Sequence, residues 1–177
     1  GFVTRYHELL HRIEEANIPI IAAVNGIARA GGIELLLACD LVVMSSEAKI
    51  GDHHLASGIP PGAGAGVRLQ RILGPIRARE FIFSARWMSA DEAFQSGVAS
   101  HVCTHDQIEI MIDEIVDNLS RTSRTALAAT KSALLQACPT RPGCQAELKV
   151  FLDFVTNDPD ASEGYRAWVE KRSPQWK

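Results

Sequence analysis

Ile20-Ile21-Ala22-Ala23-Val24-Asn25-Gly26, then Ala30-Gly31-Gly32-Ile33-Glu34-Leu35-Leu36-Leu37-Ala38-Cys39, then Leu41-Val42-Val43-Met44 follow one another in a single stretch of the chain. The apolar run from Ile18 to Val24, closed by the turn pair Asn25-Gly26, predicts a buried strand. Gly31-Gly32 leads into Ile33–Cys39, apolar at almost every position, which predicts a short buried helix. Leu41–Met44 predicts a second strand and Ala48–Gly51 a shorter third, before a Gly- and Pro-rich loop from Gly58 to Gly66. Strand, helix and strand in quick succession define an α/β body.

On the N-terminal side, Tyr6, Leu9, Leu10 and Ile13 recur at helical spacing and predict a helix over Thr4–Ala16. On the other side, Val67–Leu73 predicts a basic amphipathic helix. Ser89-Ala90-Asp91-Glu92 forms a capping box, in which the serine accepts from an orphan amide and Glu92 reaches back. It starts a helix through Ser96 that Gly97 ends, and helices are predicted over 106–120, 123–137, 143–156 and 160–172. The expected division is a strand-bearing part over 1–97 and a helical part over 98–177.

Composition narrows the partners. The 177 residues are 46% hydrophobic and 22% charged, with a formal charge of −3 and no long basic run. A nucleic-acid binder would show a basic face, so that partner is not expected. No apolar stretch approaches the ~18 residues that span a bilayer, and no charged-then-apolar leader opens the sequence, so no membrane partner is expected. Cys39, Cys103, Cys138 and Cys144 form no CxxC pair and are expected to be buried reduced thiols of an intracellular protein.

Three constellations carry candidate chemistry. His7-Glu8-Leu9-Leu10-His11 is a literal HExxH, two histidines one helical turn apart with a glutamate placed to activate zinc-bound water. It has no obvious third ligand, and a surface helix carrying two histidines explains it equally simply. Gly31-Gly32-Ile33-Glu34 puts free backbone amides at a helix start, where they can hold charge developing on a carbonyl oxygen, with Glu34 a turn away to move a proton. A tight strand-to-helix turn is the alternative. Gly51-Asp52-His53-His54 ends the third strand and offers metal ligands, general bases or plain polar residues. Ser57 lies in no GxSxG elbow, and Gly62-Ala63-Gly64-Ala65-Gly66 lacks the Lys-Ser/Thr of a phosphate loop.

Together these segments resemble the central signature of the crotonase superfamily, the enoyl-CoA hydratases and isomerases. The resemblance continues through Gly58-Ile59-Pro60-Pro61-Gly62-Ala63-Gly64, Arg68-Leu69, Gly74, Ser89-Ala90-Asp91-Glu92-Ala93, Gly97-Val98-Ala99, Glu163-Gly164 and Val169-Glu170-Lys171-Arg172, from about Asn17 onward. It implies a spiral of strand-strand-helix repeats with a helical C-terminal region used in trimerisation. It also implies a cytoplasmic lyase or isomerase of fatty acid metabolism, assembled as a homotrimer or a hexamer of two trimers. Such an enzyme acts on an acyl-CoA thioester through an enolate held by two backbone amides, and coenzyme A enters only as part of the substrate, with no metal and no separate cofactor. By resemblance Gly31 supplies one amide, Glu34 is the first of two catalytic glutamates, and Lys171 matches a position that touches the CoA of a neighbouring subunit, with Trp168 one turn before it.

Two departures follow. The family's chain normally begins well before residue 1 here, so its first strands, most CoA contacts and the other oxyanion amide are expected outside this sequence. The second hydratase glutamate falls twenty residues after Glu34 (54 − 34 = 20), where His54 stands. A histidine there resembles the superfamily's β-diketone hydrolases, which pair it with an acid in the following loop, at Ala63 in this chain. The readings kept open are an acyl-CoA enzyme using Gly31, Glu34 and His54, a β-diketone hydrolase-like enzyme using His54, an HExxH zinc metallopeptidase, and a non-catalytic acyl-CoA-binding module.

Overall fold

A computed structural model describes residues 1–176. The strands fall into two three-stranded sheets. β1 (Ile21–Val24), β3 (Leu41–Ser45) and β6 (His101–Cys103) make the first, all parallel, with Ile21 beside Leu41 and Val43 beside His101. β2 (Ile27–Arg29), β4 (Lys49–Gly51) and β5 (Met88–Ser89) make the second, where β2 and β4 are parallel and β5 runs antiparallel to β4. Asn25-Gly26 is thus the step from one sheet to the other, not a hairpin turn. Each repeat sends one strand to each sheet and then a helix: β1, β2 and α2 (Gly31–Ala38), then β3, β4 and α3 (Ala65–Leu73).

The apolar run of α2 is explained by its position. Ile33, Leu36 and Leu37 pack with Val42, Met44, Ile50, Leu69 and Phe81 in the main core, and burying such a side chain is worth roughly 1.5–3 kcal/mol. α1 (Phe2–Glu14) begins two residues before its expected start and caps the other side of α2 through Leu10. α4 (Pro75–Ser84) opens with proline at its first position and supplies Ala78, Phe81 and Ile82 to the core. In α5 (Ala90–Gln95) the Ser89 hydroxyl accepts from the Glu92 amide at 3.2 Å. The return half of the box is absent, because both Glu92 oxygens bind Arg86 instead, at 2.9 and 2.6 Å.

Beyond residue 97 the chain is helical with one exception: β6 is the third strand of the first sheet. Then come α6 (Ile108–Ser120), α7 (Arg124–Ala137), α8 (Arg141–Asn157) and α9 (Glu163–Val169). Of the cysteines only Cys144 is buried; Cys39 and Cys103 are half-buried and Cys138 is exposed, so the expectation of four buried thiols holds for one. No helix among the described residues is long and apolar enough to cross a membrane.

α8 lies against the Gly-rich loop and explains its composition. A Cβ on Gly62 would sit 2.6 Å from the Phe151 ring, one on Gly66 2.7 Å from Glu147, and one on Gly143 3.1 Å from Val67. The glycines let helix and loop approach closely; they do not cradle a phosphate.

Candidate active site

α2, the loop after β4 and the Gly-rich loop meet at a cavity of about 320 Å3. Gly31, Glu34, His54, Ala63, Tyr6 and Phe151 are among its walls. Three of the four residues singled out in the sequence, Gly31, Glu34 and His54, are thereby brought together. Lys171 is not: it stands at the exposed end of α9 with φ +53°, outside this cavity.

Glu34 is buried on the inner face of α2, where its Oε1 accepts the Ala63 amide at 2.8 Å. Its Oε2 lies 3.9 Å from His54 Nε2, too far for a direct hydrogen bond. The other ring nitrogen, Nδ1, meets Oδ2 of the fully buried Asp52 at 3.0 Å, and Asp52 Oδ1 accepts the His54 amide at 3.3 Å. The loop position where the β-diketone hydrolase resemblance expects an acid is Ala63, and the carboxylate that contacts the histidine is Asp52, two residues before it. An Asp-x-His spacing beside a strand end was the available signal.

His53 and His54 part company. His53 takes a positive φ of +55° and stacks on Trp87, with ring centroids 4.1 Å apart. A Cβ on Gly51 would collide with the His53 ring at 2.2 Å, so the glycine makes room for that turn. His54 alone faces the cavity.

Electrostatics follow from the surroundings. Burial pushes the Glu34 carboxyl above its ordinary value, against the lowering pull of His54 and the Ala63 amide. Burial lowers the His54 imidazole, but the Asp52 hydrogen bond and the charges of Asp52, Glu34 and Glu147 outweigh it and raise it. The two shifts differ in cause: carboxylates outweigh burial at His54, whereas at Glu34 burial, aided by Asp52, outweighs the imidazole.

At the Gly31-Gly32 turn, neither the Gly31 nor the Gly32 amide donates to a protein acceptor among the described residues. The positive φ at this turn belongs to Ala30, at φ +50°, whose amide is held by the Gly51 carbonyl at 3.0 Å. A Cβ on Gly31 would meet the Tyr6 ring at an ordinary 3.5 Å. The Tyr6 hydroxyl donates to the Gly31 carbonyl at 2.5 Å, and burial beside Glu34 pushes its pKa up to about 12.

Glu147 on α8 is a site residue the sequence reading missed. Its Oε1 accepts the Gly64 amide at 2.7 Å and its Oε2 the Val67 amide at 3.2 Å, capping α3. Arg68 donates to the Ala63 carbonyl at 2.7 Å and binds both oxygens of Glu14 at 3.0 Å. No local pattern could mark a residue 93 positions beyond His54 (147 − 54 = 93).

The HExxH pentad does not form a comparable site. His7 and His11 are buried, Glu8 is an exposed partner of Arg141, and His11 Nδ1 is bound to Glu14 at 3.0 Å. Among the described residues no group of three His, Cys, Asp or Glu side chains is arranged to hold a metal ion.

A model of the enoyl-CoA hydratase/isomerase family matches residues 1–177, and the chain belongs to that family, within the crotonase superfamily. It is 35% identical over 172 residues to 2,3-dehydroadipyl-CoA hydratase of Escherichia coli, covering 96% of this chain and 67% of that protein. It is 34% identical over 168 residues to a probable enoyl-CoA hydratase of Mycobacterium leprae, covering 93% of this chain and 65% of the relative. The crystal structure of an enoyl-CoA hydratase from Mycobacterium avium subsp. paratuberculosis superimposes with a TM-score of 0.89 at 27% identity, over 99% of this chain and 72% of that one. The chain thus spans about two thirds of the length of the curated relatives it matches.

Proposed function

We propose that this chain carries the acid–base half of an acyl-CoA enzyme that works through an enolate. The observation behind it is the convergence of Glu34 and an Asp52-oriented His54 on the cavity that the Gly31 turn also lines. A carboxyl raised toward neutrality by burial is matched to removing a proton from carbon next to a thioester. The Gly31 amide, at the positive end of α2, holds the charge that develops on the thioester oxygen. His54 returns the proton or orients a water, and a water ~2.8 Å from both Glu34 and His54 fits the 3.9 Å gap between them.

One imidazole in place of a carboxylate changes the charge around that water, so hydration of crotonyl-CoA is expected to be weak. The acyl-CoA itself supplies coenzyme A, and no separate cofactor is required. The test is deuterium wash-in at the α-carbon of butyryl-CoA by the full protein in heavy water. Wash-in that Glu34→Gln abolishes supports the reading; its absence, or its persistence in Glu34→Gln, overturns it. The Asp52–His54 dyad favours a second reading, β-diketone hydrolase-like cleavage, which hydrolysis of a cyclic 1,3-diketone would reveal.

Assembly as a homotrimer or hexamer belongs to the same proposal. Val150, Tyr165, Trp168 and Val169 stand exposed on α8 and α9, a patch suited to a subunit interface. Lys171 beside it would then reach the CoA of a neighbouring subunit. A stable monomer in light scattering would remove both assignments.

A further inference from the structure

Cys144, Glu147 and Phe151 recur along the face of α8 that meets the Gly-rich loop, and each touches a different part of it. Phe151 packs where a Gly62 side chain would stand, the Cys144 sulfur lies where one on Gly64 would, and Glu147 spans the amides of Gly64 and Val67. The peptide units of Ala63 and Gly64 are consequently gripped by three charged side chains. Ala63 N–H is held by Glu34, Ala63 C=O by Arg68, and Gly64 N–H by Glu147. Only Glu34 of these charged groups lines the cavity.

We propose that Glu147 is a positioning residue that fixes the Gly62–Gly64 turn against Glu34 and sets, by its charge, the number of protons the Glu34–His54 pair carries. The inference rests on the acid–base reading of that pair and deepens it. A plain helix cap would be served as well by an uncharged side chain, since Ser, Thr and Asn also cap. Here the capping group is a carboxylate placed near another carboxylate, a combination that costs stability and that a cap alone does not require.

The groups facing Glu147 are Glu34 on α2, His54 after β4 and Arg68 on α3, while Asp52 faces His54 and Arg71 faces Cys144. Glu14 and His7 on α1 stand beyond Arg68, Cys144 shares α8, and the turn 159–162 packed on α8 brings Asp160. Arg68 is the cation nearest the clamp, and Glu14 already binds it through two oxygens. Glu147 is linked to the pair through one peptide unit, holding Gly64 N–H while Glu34, 3.9 Å from His54, holds Ala63 N–H, and its charge favours the protonated imidazole. Burial and the Glu34 charge push the Glu147 carboxyl up, while the two amides oppose.

NMR titration of the His54 imidazole in the full protein tests this without turnover, the signal being assigned by its loss in His54→Gln. Glu147→Gln keeps an acceptor for the amides and removes the charge, so the His54 midpoint is expected to fall by ~0.5–1 pH unit. Glu147→Asp retains the charge and should leave the midpoint near its wild-type place. An unchanged midpoint in Glu147→Gln overturns the proposal, and so does an equal fall in both variants, which would mark a cap alone. If Glu147→Gln does not fold, carboxyl titration of the wild type decides: Glu34 and Glu147 titrating in coupled steps support the role, and independent single steps overturn it. Loss of α-proton exchange on butyryl-CoA with these titrations as expected would sink the acid–base reading and leave the electrostatic link standing.

Discussion

Two pairs of histidines lie in this chain, and they teach opposite lessons. His7 and His11 sit one turn apart on α1, within a pentad that spells a metalloprotease motif. His53 and His54 are adjacent at a strand end and spell nothing in particular. Yet His54 has a buried aspartate on one ring nitrogen and a glutamate across a gap from the other. Among the described residues His7 has no hydrogen-bond partner on either nitrogen, and His11 has none on Nε2. Both α1 rings are packed edge to face, 4.6 Å apart, and neither lines the cavity beside Glu34. Spacing along a helix put two imidazoles together; what the nitrogens face decides whether they can move a proton.

The contrast breaks most visibly in turnover. Glu34→Gln should lower kcat of the native reaction by ~10²–10⁴, the usual worth of a positioned acid or base, whereas His11→Gln should leave it within a few-fold. Comparable losses in both would erase the distinction between the two regions. His54→Ala is expected to cost less, on the order of 10². Asp52→Asn should keep the ring in place but withdraw the charge that raises its pKa. On the proposed reading in which protonated His54 returns the proton, activity falls as pH rises through its folded pKa, and Asp52→Asn should move that limb to lower pH. A limb that stays put in the pH profile of kcat/KM would detach Asp52 from the mechanism.

Much of this was legible from the residues, and the exceptions have a physical pattern. β3 and α2 announced themselves because their apolar runs are largely buried, whereas β1, expected to be a buried strand, has only Val24 buried and Ala23 exposed. β2, β5 and β6 are three, two and three residues long, and tertiary pairing, not local preference, makes them strands. Gly31, Glu34 and His54 were found because they lie within 24 consecutive residues (54 − 31 + 1 = 24). Glu147 was not, because only the packing of α8 on the loop brings it there. Arg68 read as part of a basic, solvated helix face, but it is 2% exposed and bonded to Glu14. A charge's partner from another helix leaves no trace in its own neighbourhood.

The α1 pair and His54 should also respond to acid with opposite signs, while burial moves His53 in the same direction as the α1 pair. Burial lowers the pKa of His7 and of His11 below 6.5, the latter against the charge of Glu14. Their contribution to stability is complete above pH 6.5 and is lost as pH falls through that value toward the folded ones. His54, raised in the fold, contributes fully below 6.5 and loses its contribution as pH rises through its folded pKa. Denaturant unfolding across about pH 5 to 8 should therefore show a His7→Leu, His11→Leu protein with a weaker acid-side decline. In His54→Gln the decline on the alkaline side should weaken. The reverse assignment would mean that the α1 pair is charged in the folded state.

The smallest effect is also the sharpest statement about α1. The His7 ring lies 1% exposed, and neither of its nitrogens completes a hydrogen bond among the described residues. Leaving a buried polar group unsatisfied costs about 1–3 kcal/mol, whereas an apolar side chain in the same place has nothing to desolvate. Leucine is somewhat smaller than histidine in reach and branches differently, so part of the gain returns as imperfect packing against His11 and α8. The net expectation for His7→Leu at neutral pH is a stabilisation of about 1 kcal/mol, with turnover unchanged because Glu34 and His54 do not depend on this ring. Chemical denaturation reads the first and α-proton exchange the second. A clear destabilisation would show that His7 holds a bonded partner, and the two histidine pairs would then differ less than their geometry indicates.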